Sequence, residues 1–76
     1  MSRPIEPCYR QIGARLESIR KVLGLTQDEI AKRIGLERTS VVNIEAGRQR
    51  ILLHQVEAIA EALGTTPKNL MRGIWL

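Results

Sequence analysis

The residues best equipped for chemistry lie between Arg38 and Arg50. Arg38 carries a planar guanidinium fork, Asn43 a carboxamide, and Thr39 and Ser40 add hydroxyls between them. A guanidinium fork matches O6 and N7 of guanine, and a carboxamide matches N6 and N7 of adenine, so these are side-chain types that read base-pair edges in a major groove. The hydroxyls can donate to bases or to phosphates. Val42 stands among them, either as an apolar contact for a thymine methyl or as an incidental surface residue. Just beyond come Arg48-Gln49-Arg50, two cations around a polar residue. Other chemistries find little support. One His and one Cys give no nucleophile–base pair, no paired acids have a plausible spacing, and no glycine-rich loop could cradle a phosphate. His54 has no cluster of Cys, His or acid around it. Neither catalysis, a metal nor a cofactor is therefore expected.

The elements that must position these groups run from Thr26 to Gly47. Thr26 caps a helix, and Glu29 three residues on completes a capping box. Ile30, Ala31 and Ile34 then recur at helical spacing, and Gly35 falls where a left-handed C-cap belongs. A second helix starts near Arg38, with Glu37 at its N-cap, and ends before Gly47. Val41 and Ile44 point inward, which leaves Arg38, Thr39, Val42 and Asn43 on or near the outer face. Small Ala31 lets the two helices cross closely, and Gly35 makes the turn between them: helix-turn-helix geometry.

Gln27, Ala31, Gly35, Val41, Ile44 and the run Asn43-Ile44-Glu45-x-Gly47-Arg48 together resemble the DNA-binding unit of the phage-repressor and Cro type, the XRE family. The likeness extends from about Ile12 to about Leu70. It implies an all-α, five-helix, lambda-repressor-like domain whose third helix enters the major groove while its second crosses the DNA backbone. It implies base contacts from Arg38, Thr39, Val42 and Asn43, and phosphate contacts from Thr26, Gln27, Ser40, Arg48, Gln49 and Arg50. It also pairs Arg20 with Glu45 as a structural lock between the first helix and the recognition helix.

Composition and the flanking segments agree with one small domain over residues 1–76. There are 76 residues, a hydrophobic content of 43% with no Phe, and one Tyr and one Trp, so the core must be aliphatic. The net charge of +4 favours an anionic partner, although charge alone would also suit RNA or a membrane surface. No apolar run approaches the ~20 residues that span a bilayer. Lone Cys8 cannot form an internal disulfide, so a cytoplasmic location is expected. Residues 1–7 read as a loose lead-in, with Pro7 near the first helical turn. Ile12, Leu16, Ile19 and Leu23 predict an amphipathic helix from Cys8 to Leu23, with Arg10, Arg15, Glu17 and Lys21 on a solvated face. A fourth helix over Leu53 to Leu63 is predicted to turn Leu53, Val56, Ile59, Ala60 and Leu63 inward and Glu57 and Glu61 outward. Thr66 and Pro67 start a fifth, to about Arg72. Residues 73–76 form an apolar tail.

The expected function is sequence-specific binding of double-stranded DNA by a transcriptional regulator, most simply a repressor. It would act as a homodimer on a pseudo-palindromic operator, with no small-molecule ligand and no membrane partner. Ile51, Leu70, Ile74, Trp75 and Leu76 are the expected dimer interface, since repressors of this type pair through this end. The alternative is an antitoxin or other protein-interaction module that also regulates its own promoter.

Overall fold

A computed structural model describes residues 6–74, and within that span five helices form: α1 (Pro7–Val22), α2 (Gln27–Ile34), α3 (Arg38–Glu45), α4 (Leu53–Ala62) and α5 (Pro67–Leu70). There is no strand among the described residues. Local signals account for where they begin. Pro7 occupies the first turn of α1, where a missing N–H costs nothing. Thr26 Oγ1 accepts from the Glu29 N–H at 3.0 Å while the Glu29 carboxylate accepts from the Thr26 N–H at 2.9 Å, a closed capping box. Thr66 caps α5 by accepting from the Asn69 N–H at 3.1 Å. At α4 the expected polar cap is absent and Leu52 takes its place. Gln55 Oε1 accepts the Leu52 N–H at 2.9 Å, so half of a capping box survives.

Each helix contributes to one aliphatic core. Leu16 of α1, Ile30 of α2, Val41 and Ile44 of α3, Ile59 of α4 and Leu70 of α5 are fully buried. Burying a side chain of this size is worth about 1.5–3 kcal/mol. α1 and α2 both pack on α3, α4 rests on α2 and α5, and α5 closes against α1. No helix of the described residues is long and apolar enough to cross a membrane.

The structure corrects several expectations. Leu23 and Leu53 keep the helical spacing of their neighbours yet are exposed, Leu53 at 84%. Leu23 lies past the end of α1 and Leu53 at the first turn of α4, where no helix among the described residues covers the apolar stripe. Arg15 is not simply solvated: its Nη1 donates to the carbonyls of Leu70, at 3.0 Å, and of Arg72, tying α1 to the end of α5. α5 stops at Leu70, short of Arg72. Of the expected dimer residues, Ile51, Leu70 and Ile74 are buried in the protein's own core, Leu70 completely. The other two, Trp75 and Leu76, lie outside the described residues, as does most of the lead-in.

Candidate nucleic-acid interface

α3 is a helix of 8 residues, about 12 Å long at 1.5 Å per residue. With Val41 and Ile44 fully buried, its opposite side is turned out: Arg38 and Thr39 are exposed, and Ser40, Val42 and Asn43 are half-buried. All of the expected base-reading residues thus share one accessible surface. The turn ahead of α3 is tight. Gly35 adopts φ +81°, a left-handed conformation, and the N–H groups of both Gly35 and Leu36 donate to the Ala31 carbonyl at 2.9 Å. Ala31 itself is buried.

The far end of α3 is locked by an ion pair. Arg20 Nε donates to Glu45 Oε2 at 2.6 Å and Nη2 to Oε1 at 3.0 Å, a two-pronged contact with both side chains largely out of water. The third nitrogen, Nη1, donates to the Leu25 carbonyl at 2.8 Å, so every part of the guanidinium is used. The hydrogen bonds that the guanidinium donates to Glu45 raise its pKa above the ordinary value, outweighing the opposite effect of desolvation. One guanidinium therefore joins α1 to α3 through Glu45 and, through the Leu25 carbonyl, to the segment that enters α2.

The expected phosphate-binding groups gather around this lock. Gln27, the first residue of α2, donates from Nε2 to Glu45 Oε1 at 3.0 Å, which brings the start of α2 against the end of α3. It is not a freely solvated first-turn residue. The Arg48 N–H donates to the Asn43 carbonyl at 2.9 Å, so the loop carrying exposed Arg48, half-buried Gln49 and exposed Arg50 leaves directly from α3. Within the capping box Thr26 and Glu29 satisfy one another, and the Gln27 and Asp28 backbone N–H groups, in the first turn of α2, have no intrahelical carbonyl to pair with. Lys32 lies 3.5 Å from Asp28, and Arg33 donates to the Ala62 carbonyl at 3.3 Å; both turn their charge to neighbours on the protein. Glu57 and Glu61 are exposed on α4.

Two features escaped the sequence-based expectations. The Gln27–Glu45 bond joins residues that no local pattern connects. Gly13, in the middle of α1, is buried where a Cβ would collide with the Ile44 carbonyl oxygen and approach the Glu45 carbonyl oxygen to 3.0 Å. A glycine inside an otherwise regular amphipathic helix was the available signal for that close crossing.

A family model described as a helix-turn-helix domain matches residues 11–72. Among curated proteins, the chain is 47% identical over 45 residues to an uncharacterized HTH-type transcriptional regulator from Methanothermobacter thermautotrophicus, covering 59% of this chain and 65% of that one. It is 40% identical over 53 residues to the immunity repressor protein of Bacillus phage phi105, covering 70% of this chain and 37% of the repressor. The match thus spans less than two thirds of either relative's length. Among solved structures, the restriction-modification controller protein C.AhdI from Aeromonas hydrophila superposes with a TM-score of 0.78 at 32% identity, over 82% of this chain and 94% of that one.

Proposed function

The chain belongs to the helix-turn-helix domain family, and from that premise we propose that it is a transcriptional regulator that binds double-stranded DNA through α3. The observation that carries the proposal is the division of α3 into two faces. Val41 and Ile44 are sunk in the core, and Arg38, Thr39, Val42 and Asn43 are presented outward on a helix locked by Arg20 and Glu45. Arg38 and Asn43 read bases through paired hydrogen bonds, Thr39 donates to a base edge, and Val42 meets a thymine methyl. Gln27, Ser40, Arg48, Gln49 and Arg50, with the backbone N–H groups behind Thr26, hold the flanking phosphates.

The finer reading is a repressor that binds as a homodimer to a pseudo-palindromic operator, its half-sites about 34 Å apart or a multiple of that. Exposed Leu53 lines a groove with Tyr9, Ile12, Ile51, Val56 and Met71, and its neighbour Leu52 is also exposed. That face, chiefly through Leu52 and Leu53, supplies the apolar area a second copy would cover; Ile51 lines it too, whereas Leu70 and Ile74 are buried and do not. The same face keeps alive a second reading, an antitoxin whose partner is another protein.

The test is a fluorescence-anisotropy titration at near-physiological salt, comparing DNA from upstream of the protein's own gene with scrambled DNA of equal length. A preference of about a thousandfold is expected, cut by roughly tenfold to a hundredfold in Arg38→Ala. Equal binding to both sequences by the wild type would remove the sequence-specific reading, and no binding to either would leave the protein-interaction module.

A further inference from the structure

We propose that Glu45 is a positioning residue for the DNA-backbone contact, acting through the carboxamide of Gln27; this rests on the DNA-binding reading above. Glu45 Oε1 accepts from Gln27 Nε2 and from Arg20 Nη2, each at 3.0 Å, while Oε2 accepts from Arg20 Nε at 2.6 Å. The Glu45 side chain is only 3% exposed, so this carboxylate is no surface acceptor for passing donors.

An ionised carboxylate only accepts hydrogen bonds, whereas a carboxamide has one end that donates and one that accepts. Glu45 therefore decides which end of Gln27 faces inward: the nitrogen must turn to the carboxylate. That nitrogen carries two protons. One is committed to Glu45, and the other remains for an acceptor on the solvent side, where half-buried Gln27 sits at the margin of the fold. A phosphate oxygen is an acceptor of the required kind. An unanchored carboxamide would have to be turned nitrogen-first and immobilised by the phosphate itself, an ordering cost that the bond to Glu45 removes in advance.

Arg20 completes the arrangement. Its fork holds the carboxylate plane still, and its Nη1 grips the Leu25 carbonyl two residues before Gln27. Gln27 thus bridges a phosphate to the last residue of the recognition helix, and anchoring the backbone sets how α3 lies in the groove. A base contact and a phosphate contact are in this way referred to one buried carboxylate.

The experiment uses the isotope-labelled full chain and follows the Gln27 side-chain amide by nuclear magnetic resonance, with and without the upstream duplex. In the free protein one of its two amide protons is expected to be displaced and slow to exchange, through Glu45. On adding DNA the second should shift while the first stays in place. In parallel, Gln27→Leu should lose roughly tenfold or more in affinity, the scale of a hydrogen bond to a charged group, with its log–log salt slope unchanged because the lost donor is neutral. If α3 backbone amides respond to DNA but the Gln27 amide does not, or Gln27→Leu binds as wild type, the inference fails and the DNA-binding reading stands. If neither α3 nor Gln27 responds, both fall.

Discussion

Gly13 of α1 lies directly against the Ile44 carbonyl of α3, so close that a Cβ at Gly13 would overlap the carbonyl oxygen. The obstacle is backbone, and backbone of the recognition helix, so neither side can step aside by changing a rotamer. The same contact brings α1 near enough for Arg20 to reach Glu45. Gly13→Ala is therefore expected to destabilise the fold by about 1–3 kcal/mol through overpacking, although alanine is the better helix former. In a domain this small each kcal/mol lowers Tm by about 4–8 °C. A thermal melt of the variant at or above the wild-type Tm would show that the two helices can separate without cost.

Removing either member of the buried pair should be severe. Arg20→Ala or Glu45→Ala leaves the other charge without its partner in a site almost closed to water, at about 3–5 kcal/mol. Combining Arg20→Ala with Glu45→Ala should cost much less than the sum of the single changes, because no charge is then left unpaired. Urea unfolding of the four proteins in this cycle gives the coupling directly, and additivity would mean that the pair does not act as a unit.

Base-reading and phosphate-binding residues should separate by salt. Arg38→Ala is expected to lose about 1–3 kcal/mol on the preferred sequence and to relax the choice of base there. Arg48→Ala and Arg50→Ala should weaken preferred and scrambled DNA alike, each lowering the magnitude of the log–log salt slope by about 0.9. Titrations over a range of salt distinguish them. A changed base preference in Arg50→Ala, with the slope intact, would reverse the assignments.

The capping box of α2 makes stability depend on pH in the acid range. The Thr26 N–H, and after it the Thr26 hydroxyl, hold the Glu29 carboxyl below its ordinary pKa of 4.5. A folded-state pKa lower than the unfolded one stabilises the fold above the ordinary value, and that contribution is lost as pH falls through the depressed one. Glu29→Gln keeps an acceptor but cannot titrate. Its urea midpoint should fall less steeply than that of the wild type as the solution is acidified from neutrality, and parallel curves for the two proteins would exclude Glu29 as a contributor.

For the homodimer, Leu53→Asp is the discriminating change. Leu53 is 84% exposed, so the substitution removes little from the monomer's own core, and an acid in the first turn of α4 suits the helix dipole. Sedimentation should then give a monomer with a Tm near that of the wild type. A Leu53→Asp dimer as tight as the wild-type one would place the interface elsewhere.

The features legible in the sequence were those decided within a turn or two of chain. Thr26 with Glu29, Gly35 and Thr66 before Pro67 act through hydrogen bonds and dihedral angles spanning three or four residues, and their helices begin or end where those signals stand. The inward Val41 and Ile44, and so the outward face of Arg38, Thr39, Val42 and Asn43, followed from helical period alone. Arg20 and Glu45 were paired by family likeness, since 25 residues separate them and no local rule joins them. Tertiary structure decided what period cannot. Leu53 matches the stripe of Val56 and Ile59 but stays exposed, whereas Ile51 and Ile74, outside any helix, are buried. Gly13 had to be small only because α3 crosses there, and Gln27 met Glu45 only once α2 and α3 had packed. An amphipathic pattern specifies a side of a helix; whether another helix covers that side depends on residues far away along the chain.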